Sequence, residues 1–323
     1  MNMNETSRGA GTIKMDEARR VAALDPPTGD RIPAVLDTDT YNEVDDQFAL
    51  VYALLSPKID LKAVLAAPYW NDRSSGPADG MEKSYEEILR LLAYLGVPSA
   101  DYAWRGAAQY MTAKNEPVDS PAARRLIELA HAEPDLLYVM TIGCPTNVAS
   151  ALLIDPTIAD KIVVVWLGGQ PREWPTANEF NLMQDVYASQ VLFDSGVPMV
   201  RFPCSQVTEQ LHTTIPELDF YLTGKTELGT YLANCVREYA PKDKNQVAWS
   251  KVIWDIIAVA WLDCPETITS ILVPTPRLVG DHTTPKNELC FNLDFGRPLG
   301  REAVAVRRDP IFRRIFELIN ATQ

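Results

Sequence analysis

Apolar and polar positions along this chain set out a regular alternation. IPAVLDTD (32–39) is an apolar run of strand length that ends in carboxylates, and DDQFALVYALLS (45–56) follows with helical spacing. LKAVLAAP (61–68) predicts a second strand, and MEKSYEEILRLLAYLG (81–96) a second helix closed by Gly96. The rhythm continues through LLYVMTIG, TNVASALLI, KIVVVWLGG, DVYASQVLFDSG and VPMVRFP. Strand–helix order of this kind predicts an α/β fold with a mostly parallel central sheet flanked by helices, and ligands at the carboxyl ends of its strands. Beyond about residue 205 helical stretches dominate, among them ELGTYLANCVREYA and SKVIWDIIAVAWLD; the last stretch, from Glu288, reads as a strand pair and a final helix. Residues 1–31 are polar and read as a flexible tail, and no Gly/Ser linker divides residues 32–323, which form a single catalytic domain.

Composition narrows this picture. With 46% hydrophobic and 23% charged residues, the chain has ample material for a core. Its formal net charge of -13 excludes a nucleic-acid partner and leaves carboxylates available for a cation. No apolar leader is visible and no run is long enough to cross a membrane. The five cysteines are scattered, without a CxxC pair, which points to reduced thiols and a cytoplasmic enzyme.

The sharpest chemical feature is DTDTYNEVDDQFAL. Asp37, Asp39, Asp45 and Asp46 crowd one strand end, with Asn42 and Glu43 between them. Carboxylates this close repel one another and push each other's pKa values up, and a hard cation such as Ca²⁺ or Mg²⁺ relieves both effects. Helix capping by Asp45 or Asp46 would account for one of them, not for Asp37 and Asp39. A DxD at the first strand end also suits a phosphohydrolase of the haloacid dehalogenase type, which needs a lysine at a later strand end; the sequence offers no convincing one.

Five motifs in order resemble the nucleoside hydrolase family: DTD with DDQFAL; LKAVLAAPYWND with Asn71; IGCPTN; WLGG with NEFN; and the Trp254–Asp255 pair in VIWDIIAVA. The likeness runs from Ile32 to the C-terminus. It implies the family's Rossmann-like nucleoside hydrolase fold and hydrolysis of the N-glycosidic bond of ribonucleosides. It implies a Ca²⁺ held by Asp39, Asp46, Asp255 and the Ile142 carbonyl, with Asp39 also the general base. Asp45, Asn71, Glu179 and Asn181 would contact the ribose, although Glu179 and Asn181 also read as a helix cap. Asp37 is either a support behind the ligands or an ordinary strand-end hydrogen-bonding group, and Asn147 caps a helix. Trp254, with Tyr110 as its opposite face, would stack on the departing base, as in the purine-preferring branch; the alternative is a core tryptophan. The resemblance also implies a small-molecule nucleoside substrate and a homodimer or homotetramer, while a non-catalytic sugar-binding relative is the remaining alternative.

Three departures stand out. The TYNEV spacer is longer than the family's, Glu173, followed by Trp174, stands where an asparagine is common, and YWNDRSSGPADGMEKS (69–84) reads as a mobile lid.

Overall fold

A computed structural model describes residues 15–242, 247–285 and 288–322. The first half alternates strand and helix: α1 (Glu17–Ala22), β1 (Ile32–Thr38), α2 (Asp46–Leu55), β2 (Ile59–Ala66), α3 (Pro77–Tyr94), β3 (Ala103–Arg105), α4 (Pro121–Ala132), β4 (Leu137–Thr141), α5 (Thr146–Ile154), β5 (Ile162–Leu167), α6 (Phe180–Gln184), α7 (Val186–Ser195) and β6 (Met199–Phe202). The second half runs β7 (His212–Thr213), α8 (Ile215–Tyr221), α9 (Glu227–Tyr239), β8 (Lys251–Val252), α10 (Ile256–Asp263), β9 (Ile268–Pro274), β10 (Arg277–Val279), β11 (Cys290–Asn292), β12 (Leu299–Val306) and α11 (Arg308–Asn320).

The main sheet has the order β3-β2-β1-β4-β5-β6-β12-β9. Every pairing is parallel except that of β12 with β9. Strands β1, β4 and β5 are buried along both faces and read as continuous apolar runs, as a sheet covered by helices requires. The order reverses at β1: the chain moves outward through β2 and β3, then returns to place β4 on the other side of β1. That switch point opens a crevice at the carboxyl ends of β1 and β4.

Three expectations need correcting. Part of the supposed tail is built into the body. Asp16 caps α1, Met15 and Leu24 are buried, and the Arg20 guanidinium donates to the Gly196 carbonyl at 3.0 Å. A six-residue helix with an arginine on its buried face carries too little apolar periodicity to be read; residues 1–14 lie outside the described residues. The final strands β11 and β12 do not pair with each other, since β11 pairs with β10 and β12 enters the main sheet. Helix α10 starts only at Ile256, because Lys251–Val252 is drawn into a ribbon with β7. Among the described residues no helix is long and apolar enough to cross a membrane.

Candidate active site

At the switch point Asp37 lies opposite Thr141 across the β1–β4 ladder, and the Ile142 N–H donates to the Asp37 carbonyl at 2.8 Å. The chain then turns, with the Asn42 N–H on the Asp39 carbonyl at 2.8 Å, and enters α2 at Asp46. Asp45 occupies the N-cap position but makes no side-chain capping bond, and neither does Asp255 at the start of α10. Both helices thus start with a carboxylate that is not spent on capping, where the helix dipoles favour negative charge. Ligand oxygens of Asp45, Asp46 and Asp255 lie within 4.8 Å of one another, and all three residues are buried. Asp45, expected as a sugar contact, belongs to this trio, and Asp39, expected as a ligand, does not.

Asp39 sits beside them with no solvent exposure, and neither carboxylate oxygen has a hydrogen-bond partner. Burial, followed by repulsion from Asp46, holds its pKa well above the ordinary aspartate value. Burial and the Asp45 charge push Asp46 up to about 7, although Thr38 donates to it at 2.5 Å. Asp255 is likewise raised, by burial and then by Asp45 and Asp46. Asp37 is pushed up to about 7 by burial, partly offset by Asn147, whose amide donates to it at 2.8 Å. Buried, mutually repelling carboxylates with orphaned oxygens fit a hard divalent cation, as the donor chemistry anticipates.

One functional group was not found in the sequence. Lys251, on β8, is buried beside this cluster, with its ammonium 2.5 Å from a Glu43 oxygen and 3.5 Å from Asp45. Burial works against its charge, but Asp45 and Glu43 outweigh that and hold its pKa above the ordinary lysine value. Its only sequence signal is a lysine four residues before Asp255, at the start of the stretch SKVIWDIIAVAWLD that reads as helix.

Of this cluster Asp45 and Asp255 line a cavity of about 260 Å³, together with Asn42, Glu43, Ile142, Glu179, Asn181 and Trp254, while Asp39 and Asp46 are not among its lining residues. Glu179 caps α6: its oxygens accept from the backbone N–H groups of Gly169, Asn181 and Leu182 at 2.8, 3.0 and 3.1 Å. Gly169 has a φ of +74°, a conformation that glycine adopts without strain, and so turns its N–H inward. The Asn181 amide donates to the carbonyls of Ile142 (2.8 Å) and Leu167 (3.1 Å). The capping reading and the wall position thus hold together for Glu179 and Asn181. The Trp254 N–H donates to Asp45 at 3.1 Å, and its half-buried side chain both lines the cavity and packs on the core.

A sequence model of the family described as inosine-uridine preferring nucleoside hydrolase matches residues 34–285 of this chain. The chain belongs to that family. The pyrimidine-specific ribonucleoside hydrolase RihA of Escherichia coli K12 is 28% identical over 269 residues, covering 74% of this chain and 82% of the relative. The Salmonella enteritidis protein of the same name is 27% identical over the same shares. Among solved structures, the purine-preferring ribonucleoside hydrolase from Gardnerella vaginalis superposes with a TM-score of 0.70 at 22% identity, over 90% of this chain and 98% of its own. A plant nucleoside hydrolase gives 0.68 at 22% identity, over 90% and 99%.

This nucleoside hydrolase is accordingly an enzyme acting on N-glycosyl compounds, and its family membership sets aside the phosphohydrolase reading. The lysine that reading called for does reach the carboxylates, but from the β7–β8 ribbon, as a partner of Glu43 and Asp45. The remaining expected residues lie as follows. Asn71 is outside the first cavity; its amide donates to the Asn42 carbonyl at 3.2 Å, and it lines a second, adjoining cavity of about 890 Å³. Tyr110 lines neither cavity, and its hydroxyl is bonded to Gln184. Glu173 is exposed and Trp174 half-buried, and neither borders these cavities. The stretch 69–84 is not a free lid. Its second half is the start of α3, Tyr69 is buried, and Gln184 bonds the Trp70 backbone at both N–H and carbonyl. Asn147 lies inside α5 and does not cap it; its side chain ties Asp37 to the Ala66 carbonyl and the Ala107 N–H.

Proposed function

We propose that this hydrolase cleaves ribonucleosides to ribose and free base in a Ca²⁺-dependent reaction, with purine nucleosides preferred. The observation that carries the reading is Asp39, fully buried with both oxygens unpartnered, next to the closely spaced carboxylates of Asp45, Asp46 and Asp255. Asp46 and Asp255, with Asp39 and the Ile142 carbonyl, would hold the ion. Bound there, Ca²⁺ supplies positive charge that offsets the carboxylates and acidifies a nearby water.

The chain's own groups account for the rest. Asp39 accepts the proton of the attacking water. Both N–H groups of the Asn181 amide are directed at backbone carbonyls, which leaves its carbonyl oxygen for a sugar hydroxyl. Glu179 and Asp45 offer further acceptors on the same wall. The positive charge that develops on the sugar as the bond breaks is met by buried carboxylates that need no reorganisation. The base leaves past the Trp254 indole toward the second cavity, whose wall includes Tyr41, Tyr231, Tyr239 and Trp249. A large aromatic exit suits a purine.

Assay of inosine and adenosine with and without EGTA tests the reaction. Turnover lost in chelator and restored by calcium is expected; turnover indifferent to chelator would overturn the metal role. A second reading, pyrimidine preference, draws on the similarity to the Escherichia coli relative. A higher kcat/KM on uridine or cytidine than on inosine would favour it.

A further inference from the structure

Asn42, Glu43 and Phe180 line both cavities, so they form the neck between them. Glu43 belongs to the TYNEV spacer and is the charged group of that neck. Its side chain remains about one-third exposed while the Lys251 ammonium that grips it is almost fully buried. Lys251 is itself fixed by the Val252 carbonyl at 2.7 Å and by Asp45. The spacer's backbone is held from the other side, where Arg73 donates to the Glu43 carbonyl at 2.8 Å and stacks its guanidinium over Tyr41. A carboxylate held this way is preorganised, and it can only accept hydrogen bonds.

The cations nearby are already engaged. Arg90 donates to Glu87 at 2.8 Å and to the Tyr231 hydroxyl at 3.2 Å, and Arg73 is taken up by the spacer. The neck therefore offers a leaving group aromatic faces and an acceptor at its edge, and among the described residues both guanidinium groups of its wall, Arg73 and Arg90, are held by other partners.

We propose that Glu43, clamped by Lys251, is a specificity-determining residue that selects leaving bases presenting an N–H donor, such as an exocyclic amine, to the neck. This rests on the hydrolase reading above. A base with its amine facing Glu43 gains a hydrogen bond to a charged partner; one without it forgoes that bond.

Adenosine and purine riboside differ by one amino group and give the cleanest comparison. The unsubstituted enzyme should favour adenosine in kcat/KM by about tenfold to a hundredfold, the range for one hydrogen bond to a charged group. Glu43→Leu should collapse that ratio mainly through loss on adenosine. Lys251 keeps Asp45 and the Val252 carbonyl in that variant, so the fold should persist, as a melting curve will verify. Glu43→Gln, which keeps an acceptor of the same shape without the charge, should retain part of the preference. Equal losses on both substrates, or an unchanged ratio, would overturn the inference while leaving the hydrolase reading intact. An unsubstituted enzyme that cleaves no riboside would overturn the hydrolase reading, and this inference with it.

Discussion

At the scale of single residues, the site joins groups that are each costly alone. Asp39 has no partner for either oxygen, so its cost is tolerated only for a function. Asp39→Asn keeps the shape and removes the base; kcat should fall by at least about 10²–10⁴, the usual worth of a positioned base, while the metal-free protein should keep its fold and lose part of its stabilisation by calcium. Trp254→Ala should cut turnover of inosine sharply and that of a nitrophenyl riboside much less, because only the first leaving group needs stacking and protonation. Equal losses would mean that Trp254 merely packs the helix. A pH effect also follows. Asp37 and Asp46 titrate near 7 in the folded protein, against about 4 in an unfolded chain. A raised carboxylate pKa means that the folded state holds more protons. Stability of the metal-free protein is therefore greatest at low pH in this respect, and these two groups withdraw it as pH rises from about 4 through 7. Melting curves in EGTA at pH 5 and pH 8 should show that loss, and calcium should largely abolish it.

At the scale of elements, Asp263 fastens the end of α10 to two neighbours. Its carboxylate accepts from Tyr52 (2.7 Å) and Ser56 (2.5 Å) at the end of α2 and from Arg314 (3.0 Å) on α11, while Lys58 donates to its carbonyl at 2.6 Å. Asp263→Ala strands these donors and should cost about 3 kcal/mol by chemical denaturation, without altering the kcat of folded enzyme. What was legible in the sequence followed the same divide between long and short elements. The β1 strand and its DTD end and the parallel order were readable because apolar runs of strand and helix length carry periodicity, whereas Asp255 stood out only through the family resemblance. Helix α1 and the ribbon strand β8 were not, since six and two residues carry none. Lys251 was hidden for the same reason: burial of a lone lysine is decided by carboxylates that the fold brings from far along the chain. Asn147 was expected to cap an apolar helix but lies within its first turn, and its role depends on Ala66 and Ala107, which no local pattern reveals.

At the scale of the whole molecule, the carboxylates of the proposed cation site come from the turn after β1 and from the starts of α2 and α10, so an ion there would tie the end of the first strand to a helix far along the chain. Binding to the folded form alone should raise stability by about 2.7 kcal/mol when calcium is a hundredfold above its Kd. A melting temperature unmoved by calcium would refute a site shared by these elements.

Lys251 and Glu43 stand 208 positions apart, and that distance becomes a delay during synthesis. The acidic end of β1 leaves the ribosome with the early strands, long before its ammonium partner and Asp255 have been made. A nascent chain halted after β6 thus contains a nearly complete parallel sheet with uncompensated charge at its middle. Hydrogen exchange on such a truncated chain should find the amides around residues 37–46 open while those of β4 and β5 are protected. Protection of residues 37–46 to the same extent as β4 and β5 would show that this end forms without its later partners.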